Sequence, residues 1–150
     1  MSLEQEVELI RQFPIFSKLP PAMQKLLCFG SERMTYEPRQ ALFQAGDPGD
    51  TAYIVIDGTA EISIPTPGGP VVINTLGRNA IIGEIAIFGD VPRTATVTAV
   101  TRLETLRISK DLFFKVIREN PDAALELIKI LAGRLANTTV QLSRTIGRSR

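Results

Sequence analysis

Glycine and proline recur at short intervals through the middle of the chain, and this spacing constrains the fold more than any other feature of the sequence. From about residue 31 to residue 109 the intervals are roughly 8–12 residues, which is typical of an all-β sandwich or barrel. The predicted turns lie at Pro38, Gly46 to Gly49, Gly58, Pro65 to Pro70, Gly77 and Gly89 to Pro92.

The segments between the turns are rich in β-branched residues, as strands are. Residues 94–100 alternate threonine with small apolar residues, which predicts a strand with one buried face, opened by Arg93. Asp57-Gly58 predicts a hairpin turn, and Gly68-Gly69 marks another. We count about eight strands, which predicts a jelly roll (a double-stranded β-helix) made of two packed sheets.

Helical patterns flank the predicted roll on both sides. Residues 1–30 contain N-terminal helices that prolines interrupt. The helical period returns over residues 110–146, after Ser109 as an N-cap and with one break at Asn120-Pro121. The predicted fold class is therefore mainly β with flanking helices. The length of 150 residues predicts one domain, residues 1–150.

The chain contains no histidine and a single cysteine, Cys28. Without an imidazole it cannot build Ser-His-Asp or Cys-His nucleophiles, nor haem held by a proximal histidine. One cysteine cannot form a zinc or iron–sulfur site. We predict no metal and no cofactor. Composition alone leaves open a metal held by carboxylates, a carboxylate acid–base pair, and pure ligand binding.

Charge patterning indicates where the protein resides and what it contacts. The first eight residues carry three glutamates and no basic residue, unlike a signal peptide, and the apolar stretch 80–89 is too short for a membrane span. We expect a cytoplasmic protein. Residues 129–150 hold five basic residues and no acidic one, which suits either the helix dipole or a nucleic-acid contact. Because aromatic residues do not interleave them, we predict no direct DNA binding by this chain.

The segment 80–96 contains the chemistry of the chain. Gly83 precedes a short apolar helical turn, whose free backbone N–H groups can bind an anion. Glu84 lies among isoleucines, and nine residues later Arg93 begins an apolar strand. Both charges need partners. Either the two residues form an internal salt bridge, or Arg93 binds a phosphate while Glu84 binds a diol or amine; spacing alone leaves both interpretations open.

Two ordered motifs resemble the signatures of the cyclic-nucleotide-binding domain family. The runs 83–87 and 92–95 resemble the family's phosphate-binding cassette, which we assign to residues 82–95. Upstream, residues 43–55 with Gly58 resemble a second family signature. The similarity covers roughly residues 10–145. The sequence departs from the family in Ile82, where phenylalanine is usual, and in Arg78-Asn79, where a Gly-Asp turn is common.

The resemblance implies how the cassette holds a cyclic phosphate. Backbone amides near Gly83, Ile85 and Ala86 cradle the phosphate, and Arg93 neutralises its charge. Ala95 belongs to the same ligand-binding segment. A cyclic phosphate carries one negative charge, so one arginine suffices.

The resemblance also assigns the ribose contact and two supporting residues. Glu84 accepts the ribose 2′-hydroxyl, which a 3′,5′-cyclic ring leaves free. Thr94 adds a hydroxyl beside the phosphate or the base. Asp50 resembles the family's acid that braces the arginine, and Ile87 resembles an apolar relay residue that moves with the cassette.

The C-terminal helix bears on which nucleotide binds. Residues 131–139 resemble the dimerisation helix of the bacterial catabolite-activator family, in which a Thr-Ser pair contacts adenine from the two subunits. Thr138 and Thr139 fall at that point. Alternatively, both hydroxyls bond to carbonyls of the preceding turn. Thr94 suits guanine as well as adenine. Because the C-terminal helix resembles one that contacts adenine, cyclic AMP is the predicted ligand and cyclic GMP is the alternative.

The predicted function is a regulatory sensor module whose C-terminal helices move when the nucleotide binds. We expect no catalytic residue, because the carboxylates are assigned to ribose binding and structure. The expected partners are a cyclic nucleotide and either a second copy, bound through the C-terminal helix, or an attached effector domain. The alternative is the ligand-binding half of a DNA-binding regulator that ends before its helix-turn-helix.

Overall fold

The computed structural model describes residues 2–148, without the side chains of Ile85, Gln141 and residues 145–148. Ile146, at the end of the predicted helical segment 110–146, lies outside the described side chains. Two N-terminal helices, α1 (Leu3–Arg11) and α2 (Pro21–Gly30), begin the fold. Ser2 and Gln5 form a reciprocal capping box at the start of α1. Pro21 occupies the first position of α2, where its missing N–H costs nothing.

Two antiparallel four-stranded sheets form the jelly roll, as the spacing of glycine and proline predicted. Their orders are β1-β8-β3-β6 and β2-β7-β4-β5. Among the described residues the strand count is eight, matching the prediction. The strands are β1 (Ser31–Tyr36), β2 (Ala41–Phe43), β3 (Thr51–Asp57), β4 (Ala60–Ile64), β5 (Val71–Leu76), β6 (Ile81–Ile82), β7 (Thr96–Ala99) and β8 (Leu103–Ser109).

The apolar run of β3 is explained by burial on both of its faces. Ala52 and Ile54 belong to a core that the helices share with the first sheet, whereas Tyr53 and Val55 belong to the core inside the roll. Alternate residues of a strand point to opposite faces, so a strand between two cores is apolar throughout. Strand β3 also contacts the Arg93 side chain, through Thr51 at its first position.

The strand predicted over residues 94–100 is shorter than expected, and this prediction was wrong at its start. Strand β7 begins at Thr96, and Arg93 lies in the loop before it. The backbone of Arg93 bonds to the preceding glycine loop, donating to the Asp47 carbonyl and accepting from Gly46, each at 2.8 Å. These bonds hold residues 93–95 against the loop rather than in the β4–β7 ladder.

Three further helices complete the fold: α3 (Glu84–Gly89), α4 (Lys110–Glu119) and α5 (Pro121–Arg148). Ser109 caps α4 by accepting from the Leu112 N–H, as predicted. Helix α5 follows the predicted break at Asn120-Pro121, and its 28 residues span roughly 42 Å. It packs on α4 and crosses β5. No described helix is both long enough and apolar enough to cross a bilayer.

Candidate functional site

Gly83 positions the site because it lets the chain turn from β6 directly into α3. Its φ of +91° is unfavourable for any residue with a Cβ. A Cβ placed here would lie 2.4 Å from Nη1 of Arg93. The turn therefore needs glycine both for its backbone conformation and for the space that Arg93 fills. The first backbone N–H groups of α3 follow at once, without intrahelical partners.

Replacing Gly83 by alanine should disturb the arginine before it disturbs the rest of the fold. We expect Gly83→Ala to destabilise the protein by about 1–3 kcal/mol, through the strained φ and the displaced guanidinium. The same substitution should weaken the binding of any phosphate ligand. Gly69→Ala is the matched control, since Gly69 also has a positive φ but has open space around it. Equal ligand affinity in the two variants, measured by calorimetry, would show that Arg93 does not serve the ligand.

Arg93 is a buried cation, with 4% of its surface exposed. Its Nη1 donates to the Gly83 carbonyl at 3.0 Å, and its Nη2 donates to the carbonyl and hydroxyl of Thr51 at 2.8 and 3.0 Å. The guanidinium carbon lies 4.0 Å from the ring centre of Phe43, a cation–π contact. None of the described carboxylates forms an ion pair with it, and its buried Nε has no hydrogen-bond partner.

The charge of Arg93 is thus held by dipoles and an aromatic ring rather than by a carboxylate. Burial lowers the pKa of its guanidinium, and Tyr53 and Asp50 oppose that shift. Arginine stays protonated under such a shift. A buried cation without a counter-ion is costly, and it is the arrangement expected where an anionic ligand supplies the missing charge.

Among the described contacts, Thr51 bonds directly to the Arg93 guanidinium, whereas Asp50 does not. The Asp50 side chain is exposed and forms no hydrogen bond or ion pair with Arg93 among the described contacts. Its backbone carbonyl accepts from the Lys110 N–H at 2.9 Å. Thr51, buried at the start of β3, holds the guanidinium with two oxygens. The charge of Asp50 acts on the arginine through space, and its role in bracing Arg93 stays a prediction.

Glu84 is paired with Arg134, a residue that the sequence analysis did not identify. Nη1 of Arg134 lies 2.5 Å from Oε1 of Glu84, and its Nη2 donates to the Ile81 carbonyl. Glu84 is 1% exposed, and its Oε2 has no hydrogen-bond partner. The internal pair of Glu84 with Arg93, one of the two interpretations above, is not formed. Arg134 belongs to α5 and lies one turn before Thr138, and in the sequence it is one of the five basic residues of the segment 129–150.

Most of the predicted ligand residues line one small cavity of about 50 Å³. This volume admits a few water molecules and is far below the roughly 300 Å³ of typical small-molecule sites. The side chain of Arg134 forms part of its wall. The predicted residues that line this cavity are Gly83, Glu84, Ala86, Arg93, Thr94 and Ala95.

A larger cavity of about 320 Å³ adjoins the first, between the β4–β5 pair and α5. The two share Glu84 and Arg134 in their walls, and Ile73, Leu131 and Leu135 make the larger one mainly apolar. Thr138 lines it, as the predicted base contact requires.

Two other predicted residues line neither cavity. Thr139 bonds to its own helix, donating to the Leu135 carbonyl at 3.0 Å, which is the alternative considered above. Ile87 is buried in the core shared with the helices. Its role as a relay residue stays a prediction.

The comparison with protein families identifies the family of this chain. The family model of the cyclic nucleotide-binding domain matches residues 33–120, from β1 to the end of α4. The chain belongs to the cyclic nucleotide-binding domain family. The matched range contains Arg93, Glu84 and both signatures identified in the sequence. Among the described residues no group of His, Cys, Asp or Glu could hold a metal ion.

Individual relatives of this cyclic nucleotide-binding domain resemble it in sequence or in fold. It is 27% identical, over 93% of its length, to the CRP-like cAMP-activated global transcriptional regulator of Mycobacterium tuberculosis, and covers 62% of that protein. The N-terminal domain of a transcriptional regulator from Streptomyces coelicolor A3(2) superposes with a TM-score of 0.64 at 30% identity, covering 87% of this chain and 94% of that one.

The third comparison is a structure determined with a nucleotide. The regulatory domain of Toxoplasma gondii PKA, crystallised with cAMP, superposes with a TM-score of 0.67 at 27% identity. The match covers 76% of this chain and 44% of that one. Since the chain spans less than two thirds of the Mycobacterium regulator and of this domain, it corresponds to one part of each.

Proposed function

We propose that this chain is a regulatory module that binds cyclic AMP and transmits binding to α5. The observation that carries the proposal is the buried Arg93, which lacks a carboxylate partner and lines the same cavity as Glu84. The cation and the α3 amides suit a cyclic phosphate, and the Glu84 carboxylate suits a ribose 2′-hydroxyl. The groups bind and orient a ligand, with no proton transfer required of them, so the module has no catalytic role of its own.

The pair of Glu84 with Arg134 supports the coupling of ligand binding to α5. Arg134 bonds to Oε1 of the carboxylate that the ribose would use, and its side chain forms part of the wall of the cavity of about 50 Å³. Because that cavity is too small for a nucleotide, a ligand bound at Glu84 competes with Arg134 for space. The ligand then binds one arrangement of α5 better than the other, and such differential binding is what allows it to shift the population.

The adenine base is favoured over guanine by the apolar walls of the larger cavity and by Thr138 within it. The named ligands of the Mycobacterium regulator and the Toxoplasma domain are both cAMP. Cyclic GMP is the second candidate, because the Thr94 hydroxyl lines both cavities and can accept from a guanine amino group.

Helix α5 presents a surface for a second copy of the chain. Ile128 and Leu135 lie two turns apart and are 62% and 69% exposed. Apolar residues at this spacing form the seam of a coiled coil. We propose a homodimer through α5, or an effector domain attached beyond it as in a longer cytoplasmic regulator. We assign no DNA contact to the chain itself.

The nucleotide preference is tested by calorimetric titration of the wild-type protein. We expect cyclic AMP to bind about tenfold or more tightly than cyclic GMP, because adenine matches the apolar cavity. Thr138→Val, which keeps the shape of the side chain and removes its hydroxyl, should reduce that preference. Ser143→Ala, on an exposed part of the same helix, is the control. Tighter binding of cyclic GMP would reverse the assignment of the base.

A further inference from the structure

Asn74 is a polar residue in the otherwise apolar wall of the larger cavity. It is buried on β5, with 3% of its surface exposed, and it lines the cavity opposite Leu131 and Leu135 of α5. Its Oδ1 accepts two hydrogen bonds, from the Thr75 N–H at 2.9 Å and from Nδ2 of Asn137 at 2.9 Å. The motifs in the sequence identified neither asparagine.

These two bonds determine which way the Asn74 amide faces. A backbone N–H can only donate, so the atom that receives the Thr75 bond must be the amide oxygen. With that oxygen turned to Thr75 and Asn137, the Nδ2 group is left with two hydrogens. No described residue accepts from it. Asn74 therefore offers the cavity hydrogen-bond donors and no available acceptor.

We infer that Asn74 recognises the nucleotide base by donating to one of its acceptor atoms, with the amide orientation held by Thr75 and Asn137. This inference rests on the proposed function. The two cavities share the walls formed by Glu84, Thr94 and Arg134, so a ligand whose ribose reaches Glu84 extends its base toward Asn74.

The donor character restricts what Asn74 can recognise. A purine presents ring nitrogens as acceptors, and adenine adds a 6-amino donor. An asparagine with a free oxygen can contact both kinds of atom, whereas Asn74 can contact only an acceptor. The hydroxyl of Thr138, in the same cavity, can either donate or accept and is the group available for an amino group.

Deaza analogues of cyclic AMP test the inference atom by atom. Each of the 1-, 3- and 7-deaza compounds replaces one ring nitrogen by C–H and so removes one acceptor. We expect one of the three to bind wild type about tenfold more weakly than cyclic AMP. Asn74→Asp keeps the acceptor for Thr75 and Asn137 but loses the donors, so its affinity for cyclic AMP itself should be about tenfold lower than that of wild type. The deaza analogue that wild type binds more weakly should bind to Asn74→Asp no more weakly than cyclic AMP does.

Two variants keep this test independent of folding defects. Asn74→Ser, which cannot reach the base, should give the same loss of discrimination if Asn74→Asp does not fold. Asn79→Asp makes the same chemical change outside both cavities and should behave as wild type. Thermal unfolding shows which variants are folded.

The outcomes separate this inference from the proposed function. The inference is overturned if wild type binds cyclic AMP and all three analogues with affinities within twofold of one another. It is also overturned if both Asn74 variants still bind one analogue about tenfold more weakly than cyclic AMP. Either result leaves the proposed function intact. If wild type binds neither cyclic AMP nor cyclic GMP, the proposed function fails and the inference fails with it.

Discussion

Replacing Arg93 by methionine should abolish nucleotide binding while leaving the protein folded. Arg93→Met keeps most of the side-chain volume and the apolar contact with Phe43. It removes the buried guanidinium that lines the cavity without a carboxylate partner. Losing one partner of a buried charge pair costs about 2–5 kcal/mol, so we expect affinity for cyclic AMP to fall at least about thirtyfold.

The stability of the same variant distinguishes a ligand site from a structural residue. A buried charge that lacks a counter-ion contributes little to stability, because its desolvation offsets its hydrogen bonds. We therefore expect the free energy of unfolding of Arg93→Met to lie within about 1 kcal/mol of wild type, measured by urea titration. Arg118→Met, at an exposed position on α4, is the matched control. Retained binding by Arg93→Met, within threefold of wild type, would show that Arg93 does not hold the phosphate.

Removing Arg134 should have opposite effects on stability and on affinity. Arg134→Met leaves the buried Glu84 carboxylate without its partner, a loss of about 3–5 kcal/mol for a fully buried pair. The free protein should therefore be markedly less stable. Because the nucleotide no longer competes with Arg134 for the space beside Glu84, cyclic AMP should bind about tenfold more tightly.

Hydrogen exchange along α5 gives a second measurement on the same pair. In wild type, cyclic AMP should change the exchange of amides around Arg134, whereas in Arg134→Met these amides should already exchange faster without nucleotide. Lys129→Met makes the same charge change on an exposed part of α5 and should leave affinity and exchange unchanged. If Arg134→Met instead weakens cyclic AMP binding as severely as Arg93→Met, then Arg134 is a ligand contact and not a competitor.

The strands and the cassette could be predicted because their signals are local. Turn residues such as Gly58 and the N-cap Ser109 act on their immediate neighbours, so sequence spacing is enough to place them. The cassette, residues 82–95, is likewise one continuous segment. The start of β7, directly after it, was predicted wrongly. Tertiary bonds to the loop at Gly46 and Asp47 removed residues 94–95 from the predicted strand.

The contacts that complete the site could not be predicted because they join distant segments. Arg134 is fifty residues from Glu84, and in the sequence it stands out only as one of several basic residues near the C-terminus. The bond between Asn74 and Asn137 spans 63 residues and depends on how α5 crosses β5. Asp50 and Thr51 are adjacent, so the choice between them depends on which side chain faces the roll, and that alternation is set by the register of β3.

The central claim, that Arg93 and Glu84 together bind the cyclic phosphate and its ribose, is tested most directly by one comparison of ligands. Cyclic AMP and 2′-deoxy cyclic AMP are titrated into the wild-type protein by calorimetry under the same conditions. We predict that cyclic AMP binds with a Kd of about 1 µM or below, one per chain. The 2′-deoxy compound, which retains the phosphate and base but cannot donate to Glu84, should bind about tenfold or more weakly. Equal affinity for the two compounds, or no binding of cyclic AMP at millimolar concentration, would contradict the account.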